Sequence, residues 1–77
     1  MQIYIDNLSE MTTAQQLACL FLPFGAVRLS HISRDEKTGR SLCCGFIEMD
    51  MLNAKSAIKK LHHILFMSTY LEVGAVC

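Results

Sequence analysis

Leu42-Cys43-Cys44-Gly45-Phe46-Ile47-Glu48-Met49 is the stretch whose reading decides the fold. Successive residues of a strand point to opposite faces, so Cys44, Phe46 and Glu48 go one way and Cys43, Gly45, Ile47 and Met49 the other. A second alternating run opens the chain, Gln2-Ile3-Tyr4-Ile5-Asp6-Asn7-Leu8. Side by side, the two strands put Tyr4 and Phe46 on an open face and Ile3, Ile5, Ile47 and Met49 into a core. An aromatic pair on the wet side of a sheet adds nothing to that core. It needs a functional explanation.

Between these strands the period changes. Thr12 or Thr13 is suited to cap a helix, with Gln15 or Gln16 in its first turn. Leu17, Leu20, Phe21 and Phe24 recur at helical spacing, and Pro23 and Gly25 end the run. Ala26 to Ser33 reads as a strand with Val27, Ser30 and Ile32 facing the core. Arg34-Asp35-Glu36-Lys37-Thr38-Gly39-Arg40 is a polar hairpin loop leading into Leu42–Met49. Asn53 is expected to cap a second helix with Ala54, Ala57, Ile58 and Leu61 as its apolar stripe and Lys55, Lys59 and Lys60 on its wet side. His62 and His63 are read as closing that helix. Tyr70-Leu71-Glu72-Val73 forms a last strand, with Leu71 and Val73 inward.

The order β-α-β-β-α-β predicts an α+β, ferredoxin-like sandwich: a four-stranded antiparallel sheet with both helices on one face. The other face stays open. Residues 1–77 are expected to form one domain, since a chain of 77 residues has no room for a second and buries only about 60% of its unfolded surface. With 52% apolar residues, disorder is excluded. No apolar run approaches the length of a membrane span, and the first residues lack a signal-peptide core. A cytoplasmic location follows, and the four cysteines, which lack metal-ligand spacing, are read as reduced thiols packing as small apolar residues. Neither metal nor cofactor is expected. The net charge of zero counts against a strong grip on phosphate.

These residues resemble the RNA recognition motif family, especially its small single-domain bacterial members. Ile3-Tyr4-Ile5-Asp6-Asn7-Leu8 matches the family's hexapeptide of aliphatic, aromatic, aliphatic, any, Asn, Leu. Thr13, Leu17, Phe21, Phe24 and Gly25 fall where its first helix keeps such residues. Asp35, Thr38, Gly39 and Arg40 look like its loop between the second and third strands. Ala57, Ile58, Leu61, Leu71 and Val73 match its closing half. The family's octapeptide is Lys/Arg, Gly, Phe/Tyr, Gly/Ala, Phe, Val, any, Phe/Tyr. Here Leu42 replaces the basic residue, Cys43 the first glycine, Cys44 the first stacking aromatic and Met49 the last aromatic; Gly45, Phe46 and Ile47 are kept.

The resemblance implies an RNA-binding protein that takes up short single-stranded RNA on the sheet face. Tyr4 and Phe46 would stack bases, with Cys44 at the position of the lost ring, Asp6 accepting hydrogen bonds from a base edge, and His31 and Tyr70 adding aromatic edges. Arg34, Lys37 and Arg40 would hold the backbone, while Glu48 and Glu72 on the same face would repel phosphate. Weak affinity is expected, because one ring and one cation are missing. The rival expectation is a protein-interaction or homo-oligomer module working through the apolar sheet face or the Ala18, Cys19, Leu22 helix face, with Leu29, Leu42, Met51 and Phe66 as further apolar residues at positions suited to polar ones. Catalysis is not expected: no arginine-bearing phosphate cradle of the acylphosphatase kind lies near the N-terminus, and no nucleophile stands beside a base.

Overall fold

The two alternating runs pair as strands because their apolar halves share a face. The computed structural model describes residues 1–76, the Val76 side chain apart; Cys77 lies outside the described residues. Strand β1 (Gln2–Asp6) and strand β3 (Ser41–Met49) run antiparallel. Ile3 faces Ile47, and Tyr4 faces Phe46. Ile3, Ile5, Ile47 and Met49 are fully buried, as their parity requires.

Helix α1 (Ala14–Phe21) starts where Thr13 caps it. The Thr13 hydroxyl accepts from the Gln16 backbone N–H, and the Gln16 side chain accepts from the Thr13 N–H, which satisfies two end groups that the helix leaves unpaired. Leu17 and Phe21 are its buried residues. A single 3₁₀ turn, Leu22–Phe24, carries Pro23 and closes on Gly25. Strand β2 (Val27–Arg34) then pairs with β3, with irregularities after Val27 and after Ile32. Its core contribution is narrower than the sequence suggests: Ile32 is buried, but Val27 and Ser30 are half-buried. Ser30 instead donates its hydroxyl proton to the Ala14 carbonyl, tying β2 to the start of α1.

Helix α2 (Met51–Leu61) begins earlier than expected. Asp50 precedes it, and Asn53 lies inside its first turn rather than capping it. The Asn53 side chain instead covers Gly25, where any Cβ would overlap it. Ala54, Ala57 and Leu61 are buried and Ile58 packs on the core, as their spacing predicts, with the three lysines exposed.

Beyond α2 the chain departs from the expected single strand. Leu65–Phe66 (β4) and Thr69–Tyr70 (β5) form a separate hairpin, and the strand that completes the sheet is Glu72–Val76 (β6). The hairpin turns through Met67 and Ser68, both at positive φ (50° and 70°), the backbone of a two-residue primed turn. Phe66, expected at the surface, is half-buried against the core. Leu71 and Val73 point inward as predicted. The sheet order is β2-β3-β1-β6, with β1 antiparallel to both neighbours. The fold is the ferredoxin-like β-α-β-β-α-β sandwich, with the helices on one face and the other face open.

Candidate nucleic-acid interface

Register decides what the open face carries. His31 is opposite Phe46, Phe46 opposite Tyr4, and Tyr4 opposite Gly74, a single row across all four strands. Tyr4 is 41% exposed. The His31 and Phe46 rings lie 5.2 Å apart, tilted by 35°, within the range of a favourable aromatic pair. Two of the three rings therefore stand beside each other and the third is one strand away. On the far side, Gly74 leaves Tyr4 uncovered, since even a Cβ there would meet nothing.

Along the strands, Asp6 follows Tyr4 and faces Glu72 on β6. Asp6 Oδ1 accepts from the Asn7 N–H, and its other oxygen has no hydrogen-bond partner among the described residues. Cys44 lies beside Tyr4. Its hydrogen bonding raises the Tyr4 phenol above the usual value of 10.0, with burial and the charges of Cys44 and Asp6 acting in the same direction. In the other direction Gln2 faces Glu48, and Glu48 faces Leu29. Asp6, Glu48 and Glu72 thus put three carboxylates on the strand face.

Positive charge sits at the β2–β3 end. The Asp35 carboxylate accepts from the Lys37 N–H and the Thr38 hydroxyl, and the Gly39 N–H donates to the Asp35 carbonyl. The loop thus closes on the Asp35 side chain and carbonyl while its residues 36–40 stay exposed. Arg34 reaches the Gly39 carbonyl and Lys37 is exposed. Arg40 is already engaged, its Nε 2.9 Å from Glu10 Oε1. That exposed pair uses only Nε, so the terminal guanidinium N–H groups remain available as donors. Arg28 is likewise paired, with Asp50.

One expected contributor sits differently. Tyr70 is exposed in the β4–β5 hairpin, and Leu71 separates it from β6, so strand parity no longer carries it onto the four-stranded face. Its backbone carbonyl accepts from the Asn7 side chain. Leu42 is 57% exposed, and the adjacent Cys43 takes a positive φ of 61°, an L-residue in the left-handed region where the octapeptide calls for glycine. The Cys43 carbonyl accepts from the Leu8 N–H at this irregularity.

One residue of the site is not visible in the sequence pattern. His62 ends α2, its N–H donating to the Ile58 carbonyl, and its Nδ1 accepts from the Val73 N–H at 3.1 Å. It thereby covers the outer edge of β6 and lines a cleft with Tyr4, Asp6, Glu72, Val73 and Gly74.

Residues 3–72 match the family model of the RNA recognition motif. The chain belongs to the RNA recognition motif family. It is 35% identical over 75 residues to the Nostoc sp. protein named "Putative RNA-binding protein RbpE", covering 96% of this chain and 76% of that one. It superposes on the crystal structure of the RNA-binding protein PG1 with a TM-score of 0.94 at 36% identity, covering 96% of this chain and 90% of the other. The recognition motif of Rna15 with bound RNA (GU) matches with a TM-score of 0.86 at 28% identity, over 97% of this chain and 81% of the other. The chain also spans 13% of the length of human peptidyl-prolyl cis-trans isomerase-like 4, to which it is 34% identical over 64 residues.

Proposed function

We propose that this recognition-motif domain binds short single-stranded RNA on its open sheet face, without a catalytic step, in the cytoplasm. The observation that carries the reading is the row His31-Phe46-Tyr4-Gly74, whose outer member leaves Tyr4 open. Family membership and RNA-binding relatives support RNA as the ligand. Tyr4 and Phe46 stack bases, each ring worth about 1–3 kcal/mol. His31 extends the platform at one edge. Arg34 and Lys37 contact the backbone as it leaves the face, and Arg40 joins them when Glu10 releases it. With so few cations and three carboxylates on the face, binding is weak.

The test is a fluorescence-anisotropy titration with a pool of short labelled RNAs at two salt concentrations, repeated with Tyr4→Ala and Phe46→Ala after circular dichroism has shown both variants folded. Saturable binding that weakens with salt and is lost in both variants is the expected result. Binding unaffected by either ring overturns the platform.

A second reading, docking of a protein partner or a second copy, has one observation in its favour. A groove between α1 and the β4–β5 hairpin is lined by Cys19, Leu20, Phe66 and Met67 together with the polar Thr13, Gln15 and Gln16. Association through it would hold or strengthen with salt, the opposite of phosphate binding.

A further inference from the structure

The Asp6–Glu72 pair is unfavourable for folding alone, because like charges directly across a strand pair repel. Neither carboxylate forms an ion pair among the described residues, although the loop cations are close in sequence to the ends of β2 and β3. Both line a cleft of about 260 Å³ whose other walls are Tyr4, His62, Val73 and Gly74. That is below the roughly 300–1,000 Å³ of a pocket for a drug-sized molecule. The cleft's hydrogen-bonding character is defined. A carboxylate only accepts, and Asp6 has one oxygen uncommitted. His62 accepts at Nδ1 from the Val73 N–H, which assigns its remaining proton to Nε2 as a donor.

We propose that this cleft selects guanine for the base stacked on Tyr4. The inference rests on the platform reading of the sheet face. Guanine is the base whose pairing edge offers two adjacent kinds of donor, the ring N1–H and the exocyclic amino group, next to one acceptor, O6. Asp6 and Glu72 receive the donors and His62 Nε2–H reaches O6. Uracil offers one donor between two acceptors, so one carboxylate would face a carbonyl oxygen. Adenine and cytosine each present an amino group beside an unprotonated ring nitrogen, which a carboxylate repels. The face that repels phosphate is thus matched to a base edge rich in donors, and the two carboxylates acquire a purpose.

The experiment uses five-residue RNAs, UUXUU, with X as guanosine, inosine, adenosine, cytidine or uridine, titrated against the wild-type chain and the Asp6→Asn and Glu72→Gln variants. The wild type is expected to prefer guanosine by about tenfold or more, the discrimination of one good bidentate contact, with inosine, which lacks the amino group, in between. Both variants lose that preference. Asn at position 6 still accepts from the Asn7 N–H, so the strand end is kept. The sign separates the proposal from simple charge: if the carboxylates only repel phosphate, both variants bind every RNA more tightly, guanosine included. Equal affinity for all five RNAs, still dependent on Tyr4, overturns guanine selection and leaves the platform standing. No binding to any of them overturns both.

Discussion

Single residues set how strong this face can be. Cys43 and Cys44 occupy the family's glycine and first aromatic positions, and the structure separates their costs. At Cys43 the cost is conformational: an L-residue at φ 61° is disfavoured by about 1–2 kcal/mol relative to the right-handed region. Cys43→Gly is expected to raise stability by about 1 kcal/mol, measured by urea unfolding. At Cys44 the cost is functional, and Cys44→Phe should tighten RNA binding by about 1–3 kcal/mol, read as a fall in Kd in the same anisotropy titration. Cys44 also acts on Tyr4. The raised phenol means the folded chain holds that proton more firmly than the unfolded chain does. The stability this supplies is present below the ordinary value of 10.0 and fades as pH rises through the raised one. Ultraviolet titration of phenolate in a Tyr70→Phe background should show Tyr4 ionising at lower pH once Cys44 is replaced by alanine. An unchanged titration would remove Cys44 as the cause.

At the scale of elements, the sheet and helices were legible and the hairpin was not. Ile3, Ile5, Ile47 and Met49 have the period of a half-buried strand, and Leu17, Phe21, Ala54, Ala57 and Leu61 that of helices on its back. Gly45 was legible as a kept family position, and the fold supplies its reason: a Cβ there would overlap the His31 carbonyl oxygen of β2. The β4–β5 hairpin left no such trace. Its strands are two residues each, too short for a period, and its turn is Met67-Ser68 where Asn-Gly would announce a primed turn. Asn53 misled for a related reason: the residue type suits a cap, but helix α2 starts three residues earlier than that cap implies and uses the side chain against Gly25. Ser68, at φ 70° with an exposed side chain, carries the same left-handed penalty. Ser68→Gly should stabilise by about 0.5–1 kcal/mol, seen as slower hydrogen exchange at the hairpin amides and a higher melting temperature. Faster exchange there would contradict the turn assignment.

For the whole molecule, electrostatics is the constraint. A net charge of zero, with Arg28 and Arg40 tied into ion pairs, leaves Arg34 and Lys37 as the cations of the loop outside any ion pair among the described residues. Two phosphate contacts on single-stranded RNA predict a slope of log affinity against log salt near about −1.4, about −0.7 for each. Glu10→Gln releases Arg40 and should steepen the slope by about 0.7. A slope near zero in both would move the ligand away from phosphate. On the proposed reading stacking and base edges outweigh backbone charge, so the affinity should be low but the selectivity need not be.

The amino-acid sequence by itself determined the architecture and the placing of Tyr4 beside Phe46, because both follow from local periodicity. Alternation places Tyr4 and Phe46 on one face, and burial of the opposite face leaves them wet. Only the tertiary structure decided the chemistry around them. Whether Arg40 is free, whether Tyr70 shares the face, and how His62 comes to stand beside Tyr4, Asp6 and Glu72 depend on side chains brought together from distant segments. The Val73 N–H that holds His62 and the register that sets Asp6 against Glu72 arise when β6 docks. Period carries no information about partners across a fold; those are settled when its edges close.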